Sequence, residues 1–387
     1  MYLDQHGGRD MEITLISPRQ DFFLYKVSGL RLATTSVGDE DGWANRTMIP
    51  LDKLFTHSRH RLLQDWVTKV DSTNKQVELK SSSPIGYDVL VICTGGQNFS
   101  PGEPPAHIVS KEDTKQYYDK FRSALKQTNN VVVLGSGATG LELCGELRQY
   151  YPKMIITIVT RSSGALQAGG ATPGVPISFA KRITRKLHKL KIDLIPGDEP
   201  EEGAARFEEN EPWLVPEGGE LKLKSGAQIK CDLLVSAVGF KPNTQFLPED
   251  WVDSQSKRVV VNEFGQVKGE QEVYCFGDCA KSGAQLLGYL ASMNAQAVGK
   301  NILQRGEPTH KIALQGKGFV LPLGDSHGRL VVMGWQFGDV ITSLVKGRGL
   351  FTMKHWMGWG HSLFTLPTIP HQPSLVRHTL ALPFGGV

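Results

Sequence analysis

Apolar residues along the chain fall into short continuous runs, most of them closed by glycine and separated by amphipathic or polar stretches. Residues 88–93 (Asp-Val-Leu-Val-Ile-Cys) form one such run, closed by Thr94-Gly95-Gly96. A buried parallel strand entering a glycine turn has this pattern. Strands are also expected at 11–16, around 66–70 and 77–80, and at 131–134, 154–160, 232–238 and 273–276. Helical spacing predicts helices over 112–127, near 177–190 and over roughly 285–304. Strands alternating with helices give an α/β protein, a parallel sheet with helices on both faces. The Pro-rich stretch 99–108 reads as a linker, and the Gly/Pro/Glu-rich stretch 196–219 as surface. No short solenoid repeat is found. The aperiodic, Pro-, His- and Leu-rich residues 363–387 are expected to be disordered.

Composition narrows the class. With 387 residues, 40% hydrophobic and 21% charged, the chain is ordinary globular protein. At about 150 residues per domain it makes two or three domains. The net charge of +4 is uneven: residues 309–387 carry +5 and the remainder −1. No stripe of Lys/Arg with interleaved aromatics appears, so nucleic acid is not an expected partner. Cys93, Cys144, Cys231, Cys275 and Cys279 sit in apolar runs without a Cys-x-x-Cys, so reduced packing thiols are expected and a zinc site is not. No apolar run reaches the length of a membrane span. Residues 1–11 are polar and Gly-rich and read as neither signal nor transit peptide.

The sharpest chemical signal follows the 131–134 run. Gly135-x-Gly137-x-x-Gly140 sits between a β-branched strand and a helix, and a further strand follows at 155–159. In a dinucleotide fingerprint the first glycine makes the turn, the second admits the pyrophosphate and the third packs helix on strand. The helix N-terminus then faces the phosphates. The ribose-reading position, about 20 residues on, falls at Thr160 and Arg161. No carboxylate stands there. Arg161 is either a 2′-phosphate partner, which makes NADPH at least as good a donor as NADH, or a solvated charge. Three further strand ends close with glycine: Thr94-Gly95, Gly239-Phe240-Lys241-Pro242, and Gly277-Asp278. Ligands of open α/β sheets bind beyond such strand ends. Asp278 is either a ligand for a ribityl hydroxyl or the N-cap of a following helix. Glu142, on the first turn of the glycine-loop helix, suits that helix electrostatically.

Phe337, Val340, Ile341, Leu344 and Val345 fall at helical spacing. Lys346, Arg348, Lys354, Trp335, Trp356 and Trp359 lie around them. Residues 335–359 therefore read as an interfacial membrane helix or as a helix packed on its own domain. The basic helix near 177–190 is a solvated face or a neighbour of the NAD(P)H phosphates.

Taken as a set, these motifs resemble the two-dinucleotide-domain flavoprotein reductases. Within them the chain is most similar to the apoptosis-inducing-factor-like, ferroptosis-suppressor-type oxidoreductases, especially the fungal ones, which are related to type II NADH dehydrogenases. The resemblance covers roughly residues 11–360. It implies two Rossmann-like domains of the pyridine nucleotide-disulfide reductase type and a small C-terminal α+β part. The implied boundaries are an FAD domain from 1–110 and 245–307, an NAD(P)H domain from 111–244, a C-terminal part from 308–362, and a tail from 363–387.

The implied cofactors are FAD and NAD(P)H. Hydride passes from NAD(P)H to the flavin, then electrons pass to a quinone or similar acceptor. Gly135, Gly137 and Gly140 hold the NAD(P)H pyrophosphate, with Thr160 and Arg161 at the ribose end. Thr94, Gly95, Gly277 and Asp278 sit around the flavin, Gly239 and Pro242 are further cofactor-binding positions, and the helix after about 285 points its N-terminus at the flavin. Glu142 takes the role of a catalytic glutamate near nicotinamide and flavin. The implied location is cytoplasmic, peripheral on a mitochondrial or lipid-droplet membrane.

Two departures stand out. The family's first strand and its own glycine loop, which cradle the FAD pyrophosphate, have no counterpart: the chain enters at what reads as the next strand, Ile13–Ile16, with Ser17 where many relatives carry an acid. Gly7-Gly8 follows no strand and is no substitute. The chain is therefore expected to be a truncated form or one that has lost tight FAD binding, and the intact later motifs favour the former. The flavin-facing cysteine pair of the disulfide reductases is also missing, so thiol–disulfide chemistry is not expected. The rival readings are a non-enzymatic NAD(P)H-binding relic without stable flavin, and a soluble reductase of a protein or small-radical acceptor.

Overall fold

The computed structural model describes residues 2–8, 10–19, 21–35, 40–167, 175–304 and 306–358, with 361 and 367. The expected tail, 363–387, lies outside the described residues except for Pro367. The chain divides into two compact units, each assembled from three separated segments.

The first unit comprises Met1–Phe22, Pro50–Asn98 and Gly239–Lys317. Thr14–Ser17 pairs in parallel with Arg61–Gln64, and Leu90–Ile92 in parallel with Val273–Cys275, Ile92 opposite Cys275. Val67–Asp71, Gln76–Leu79 and Ile85–Gly86 make a small antiparallel sheet. Gly96–Asn98 lies antiparallel to Phe240–Pro242. Val70, Ile92, Trp251, Val259, Val273, Cys275 and Cys279 form the core. Each large apolar side chain taken from water there contributes about 1.5–3 kcal/mol. The Gly288–Gln304 helix completes the unit.

The second unit comprises Phe23–Ile49, Phe99–Val238 and Gly318–Val387. Its sheet runs Ile192–Pro196, Ile155–Thr160, Asn130–Leu134, Leu233–Ser236, Trp213–Leu214, parallel except for the last strand. Val131–Val133, Ile156, Ile158 and Leu233–Val235 are buried, as expected for a sheet covered on both faces. The Lys111–Lys126 helix starts at Ser110, whose hydroxyl accepts from the Asp113 amide at 3.0 Å. The Ile177–Lys189 helix buries Phe179, Ala180, Ile183 and Leu187 and turns most of its cations outward. A three-stranded antiparallel sheet, Gly318–Leu323, His327–Val332 and Trp335–Phe337, follows. Gly145 lets the Ala138–Tyr150 helix approach it: a Cβ there would lie 2.3 Å from the Leu323 Cα.

The expected helix over 337–345 does not form as one element. Trp335–Phe337 is a strand, Gly338 is extended, and only Asp339–Thr342 is α-helical before a π-turn at Ser343–Gly347. Val340, Ile341, Leu344 and Val345 keep the helical spacing on these consecutive turns, and only Phe337 falls in the strand. Met333, Trp335 and Val340 are nonetheless 77%, 74% and 72% exposed. Trp359 lies outside the described residues, and no helix among the described residues is long and apolar enough to cross a membrane.

Candidate active site

The strand Asn130–Leu134 ends at Gly135, whose amide donates to the Val159 carbonyl at 2.9 Å. Gly135 has φ +104°, and a Cβ there would fall 2.5 Å from Val238 Cγ1. A Cβ on Gly140 would lie 2.1 Å from the Gly135 carbonyl oxygen, so helix and turn touch backbone to backbone. Gly137 is different. It is the N-cap of Ala138–Tyr150, has no side-chain cap, and among the described residues nothing lies within 4 Å of where its Cβ would be. The first and third glycines thus build the loop and the second leaves open space at a helix N-terminus. That space and dipole fit a dinucleotide pyrophosphate.

Beneath the loop, Ser136 Oγ lies 3.1 Å from Thr160 Oγ1, 3.1 Å from Ser162 Oγ and 3.0 Å from the Gly164 carbonyl oxygen. This buried hydroxyl cluster fastens the turn after Ile155–Thr160 to the glycine loop. Thr160 is committed to it, whereas Arg161 is 79% exposed with its Nε 3.8 Å from Glu199. Glu199 also takes the Lys224 ammonium at 2.6 Å, and these contacts hold its carboxyl below the ordinary range.

Glu142 lies one turn into the same helix, largely buried. Its Oε1 accepts from Lys346 Nζ at 2.7 Å. Burial pushes the Glu142 carboxyl upward, Lys346 and Arg31 pull it down, and Glu146 adds a like charge. Glu146, one turn on, is held by the Arg31 guanidinium at 2.8 and 2.7 Å. Arg31 is fully buried and sits over the Trp43 ring at 5.0 Å. Tyr25 faces this group: burial and the Glu142 charge raise its phenol far above 10. Its ring lies 4.2 Å from that of His355, which burial lowers to about 4. Lys346, read from the sequence as part of a membrane-facing basic cluster, is instead turned inward onto Glu142.

In the first unit, Thr94-Gly95 and Gly277-Asp278 stand at the carboxyl ends of the neighbouring parallel strands Leu90–Ile92 and Val273–Cys275. Thr94 Oγ1 donates to the Asn243 carbonyl at 2.7 Å, Asn243 Nδ2 donates back to the Thr94 carbonyl at 3.0 Å, and the Asn243 amide donates to Gly95 at 3.0 Å. This lock ties Pro242-Asn243 to the Thr94 turn. Gly95 (φ +60°) and Gly277 (φ +76°) both adopt left-handed backbone. A Cβ on Gly95 would meet nothing within 4 Å, and one on Gly277 only Ala291 at 3.7 Å. Gly239 (φ +100°) opens the Phe240–Pro242 segment. Asp278 is no helix N-cap: Gly277–Cys279 is a single 3-10 turn that runs into the strand Ala280–Lys281, and the helix starts only at Gly288. Its carbonyl accepts from Arg258 Nε at 3.0 Å. Leu286, Tyr289 and Met293 are uncovered around the start of that helix. Open glycine turns beside uncovered apolar side chains fit a flat heteroaromatic ring.

Among the motifs read from the sequence, the structure brings Gly135, Gly137, Gly140, Thr160, Arg161 and Glu142 into the second unit. Thr94, Gly95, Gly239, Pro242, Gly277 and Asp278 fall in the first. Sequence reasoning missed Lys346 as a partner of Glu142, and missed Arg31 and Glu146 altogether. Glu146 carried a signal, since it follows Glu142 by one helical turn.

Comparison with known proteins adds a family. The profile of the pyridine nucleotide-disulphide oxidoreductases matches residues 1–298. The ferroptosis suppressor protein 1 of Xenopus laevis is 24% identical over 354 residues, 90% of each chain. The FAD-dependent oxidoreductase FVFD30 of Flammulina velutipes is 28% identical over 278 residues, 70% of this chain and 81% of that one. The sulfide:quinone oxidoreductase of Aquifex aeolicus superposes with a TM-score of 0.67 at 16% identity, covering 97% of this chain and 90% of that one.

Proposed function

The chain belongs to the pyridine nucleotide-disulphide oxidoreductase family, and from that premise we propose that it passes electrons from NAD(P)H by way of FAD to a quinone. The enzyme is an FAD-dependent NAD(P)H oxidoreductase. The match over residues 1–298 takes in segments of both units, which disfavours the flavin-free relic reading.

One observation carries the proposal: a buried carboxylate, Glu142, paired with Lys346 one turn from the open glycine of a dinucleotide loop. Reduction of a quinone to a quinol takes two electrons and two protons. Bound FAD supplies the electron chemistry by accepting a hydride and passing electrons on. The hydride brings both electrons and one of the two protons, and the chain supplies the second proton and the positioning. Lys346 contacts Oε1 of Glu142 at 2.7 Å, which leaves Oε2 as the atom to carry the proton. Burial raises the Glu142 carboxyl above its ordinary range against the pull of Lys346, which favours its service as a proton donor.

The amides at the start of Ala138–Tyr150 and the open side of Gly137 hold the NAD(P)H pyrophosphate. Arg161, loosely tied to Glu199, takes the 2′-phosphate, so NADPH serves at least as well as NADH. Thr94, Gly95, Gly239, Pro242, Gly277 and Asp278 shape the flavin site, Asp278 offering its carboxylate to a ribityl hydroxyl. Support for a quinone acceptor comes from the sequence resemblance and from the fold shared with a sulfide:quinone oxidoreductase. Quinones reside in lipid, and exposed Met333, Trp335 and Val340 suit a peripheral membrane contact.

Glu142→Gln tests the central residue. Turnover with a short-chain quinone is expected to fall about 100-fold, with the KM for NADPH within about threefold. Unchanged turnover contradicts the role of Glu142.

A further inference from the structure

We propose that Arg31 is a positioning residue, a clasp that seats the Ser343–Gly347 turn so that Lys346 stays on Glu142. The inference rests on the proton role of Glu142 above and adds what keeps that carboxylate in working order.

The geometry is specific. Arg31 lies on the Gly29–Thr34 helix, more than a hundred residues from Glu146 and more than three hundred from the turn. Its Nε and Nη2 grip both oxygens of Glu146 at 2.8 and 2.7 Å. Its Nη1 donates to the Gly347 and Arg348 carbonyls at 2.6 and 3.2 Å. The planar fork thus ties the Ala138–Tyr150 helix to the two residues directly after Lys346. A second contact closes the seat: a Cβ on Gly347 would lie 2.5 Å from the Asp325 carbonyl oxygen, so the turn is pressed against its neighbouring loop. Trp43 backs the guanidinium at 5.0 Å.

Two carboxylates, Glu142 and Glu146, therefore stand one helical turn apart, each with its own cation. Arg31 remains charged at every working pH and cannot pass a proton, which suits a fixed clasp. Lys346 is the companion that opposes the upward push of burial on the Glu142 carboxyl. The groups facing Glu142 are Tyr25, Arg31, Glu146 and Lys346. Of these only Lys346 contacts its oxygens, and its place depends on the backbone that Arg31 holds. Releasing the clasp loosens Lys346 and leaves burial unopposed, so Glu142 takes up its proton at higher pH.

The test is the pH profile of turnover, per mole of bound flavin, in the FAD-loaded full chain. Arg31→Lys keeps the charge but cannot grip Glu146 and both carbonyls together. It is expected to lower kcat about tenfold with KM for NADPH within about threefold, and to move the alkaline limb, on which Glu142 loses its proton, up by about one pH unit. A second variant guards against misfolding. Arg31→Met combined with Glu146→Leu removes the buried charges as a pair, which cores tolerate better than an orphan. It is expected to raise the limb in the same direction. In a Glu142→Gln background neither change is expected to move the profile.

If Glu142→Gln slows turnover but both Arg31 variants keep the parental profile, or shift it equally without Glu142, the clasp is overturned while the Glu142 reading stands. A lowered Tm and flavin content with an unmoved profile also overturns it, since that is a purely structural role. If Glu142→Gln itself leaves turnover unchanged, the reading beneath the inference fails, and the inference with it.

Discussion

His355 shows how much the interior of the second unit constrains a single side chain. Buried against Tyr25, it titrates at about 4 instead of near its ordinary 6.5. The folded state therefore keeps the ring neutral while the unfolded chain charges it. Its contribution to stability is complete above the ordinary value and is lost as pH falls from about 6.5 towards 4. Urea unfolding is expected to show a loss of about 2 kcal/mol between about pH 7 and pH 4.5 that His355→Gln lacks. Equal acid sensitivity of the two proteins contradicts the assignment. At this scale the sequence was legible wherever chemistry and backbone coincide. Gly135, Gly137 and Gly140 announce themselves because their spacing is a backbone requirement. Lys346 and Arg31 do not, because an ion pair between residues 204 or 115 positions apart leaves no local pattern.

Among the elements, the strand–loop–helix from Asn130 to Tyr150 assigns different tasks to three identical residues. A methyl group on Gly140 collides with backbone at 2.1 Å, whereas one on Gly137 meets nothing within 4 Å among the described residues. Gly140→Ala is therefore expected to lower stability by about 2 kcal/mol or more and to reduce soluble yield. Gly137→Ala is expected to leave Tm within about 2 °C and raise the KM for NADPH about tenfold or more. Thermal melts and steady-state kinetics on the two variants decide it, and identical behaviour contradicts the division of labour. Strands with β-branched runs and helices with a 3.6-residue period were readable, as Asn130–Leu134 and Ile177–Lys189 show. Of the 337–345 stripe, Val340, Ile341, Leu344 and Val345 do lie on consecutive α and π turns, whereas Phe337 belongs to the preceding strand and is cut off by the extended Gly338. For Asp278 the 3-10 turn and the strand before the helix remove the capping alternative that local sequence leaves open.

For the whole molecule, segments distant in sequence share each compact unit. Residues 23–49 belong with the glycine-loop sheet, where Arg31 ties them to Ala138–Tyr150. No local periodicity specifies such a pairing, which is why the assembly of units was less legible than their elements. The charge excess toward the C-terminus also changes meaning, since Lys346 is spent on Glu142. A membrane contact then rests on the exposed Met333, Trp335 and Val340. Met333→Ser with Trp335→Ala is expected to cut flotation on liposomes at least about threefold, with activity on a soluble quinone unchanged. Equal flotation removes the contact.

The central claim is that this chain carries FAD and reduces it with NAD(P)H. The most direct measurement is the absorbance spectrum of the purified 387-residue chain, reconstituted with FAD and titrated anaerobically with NADPH. The account predicts a protein-bound flavin band at about 450 nm that bleaches on NADPH addition and returns on adding a quinone. A chain that retains no flavin after reconstitution, or whose flavin NADPH leaves oxidised, contradicts it.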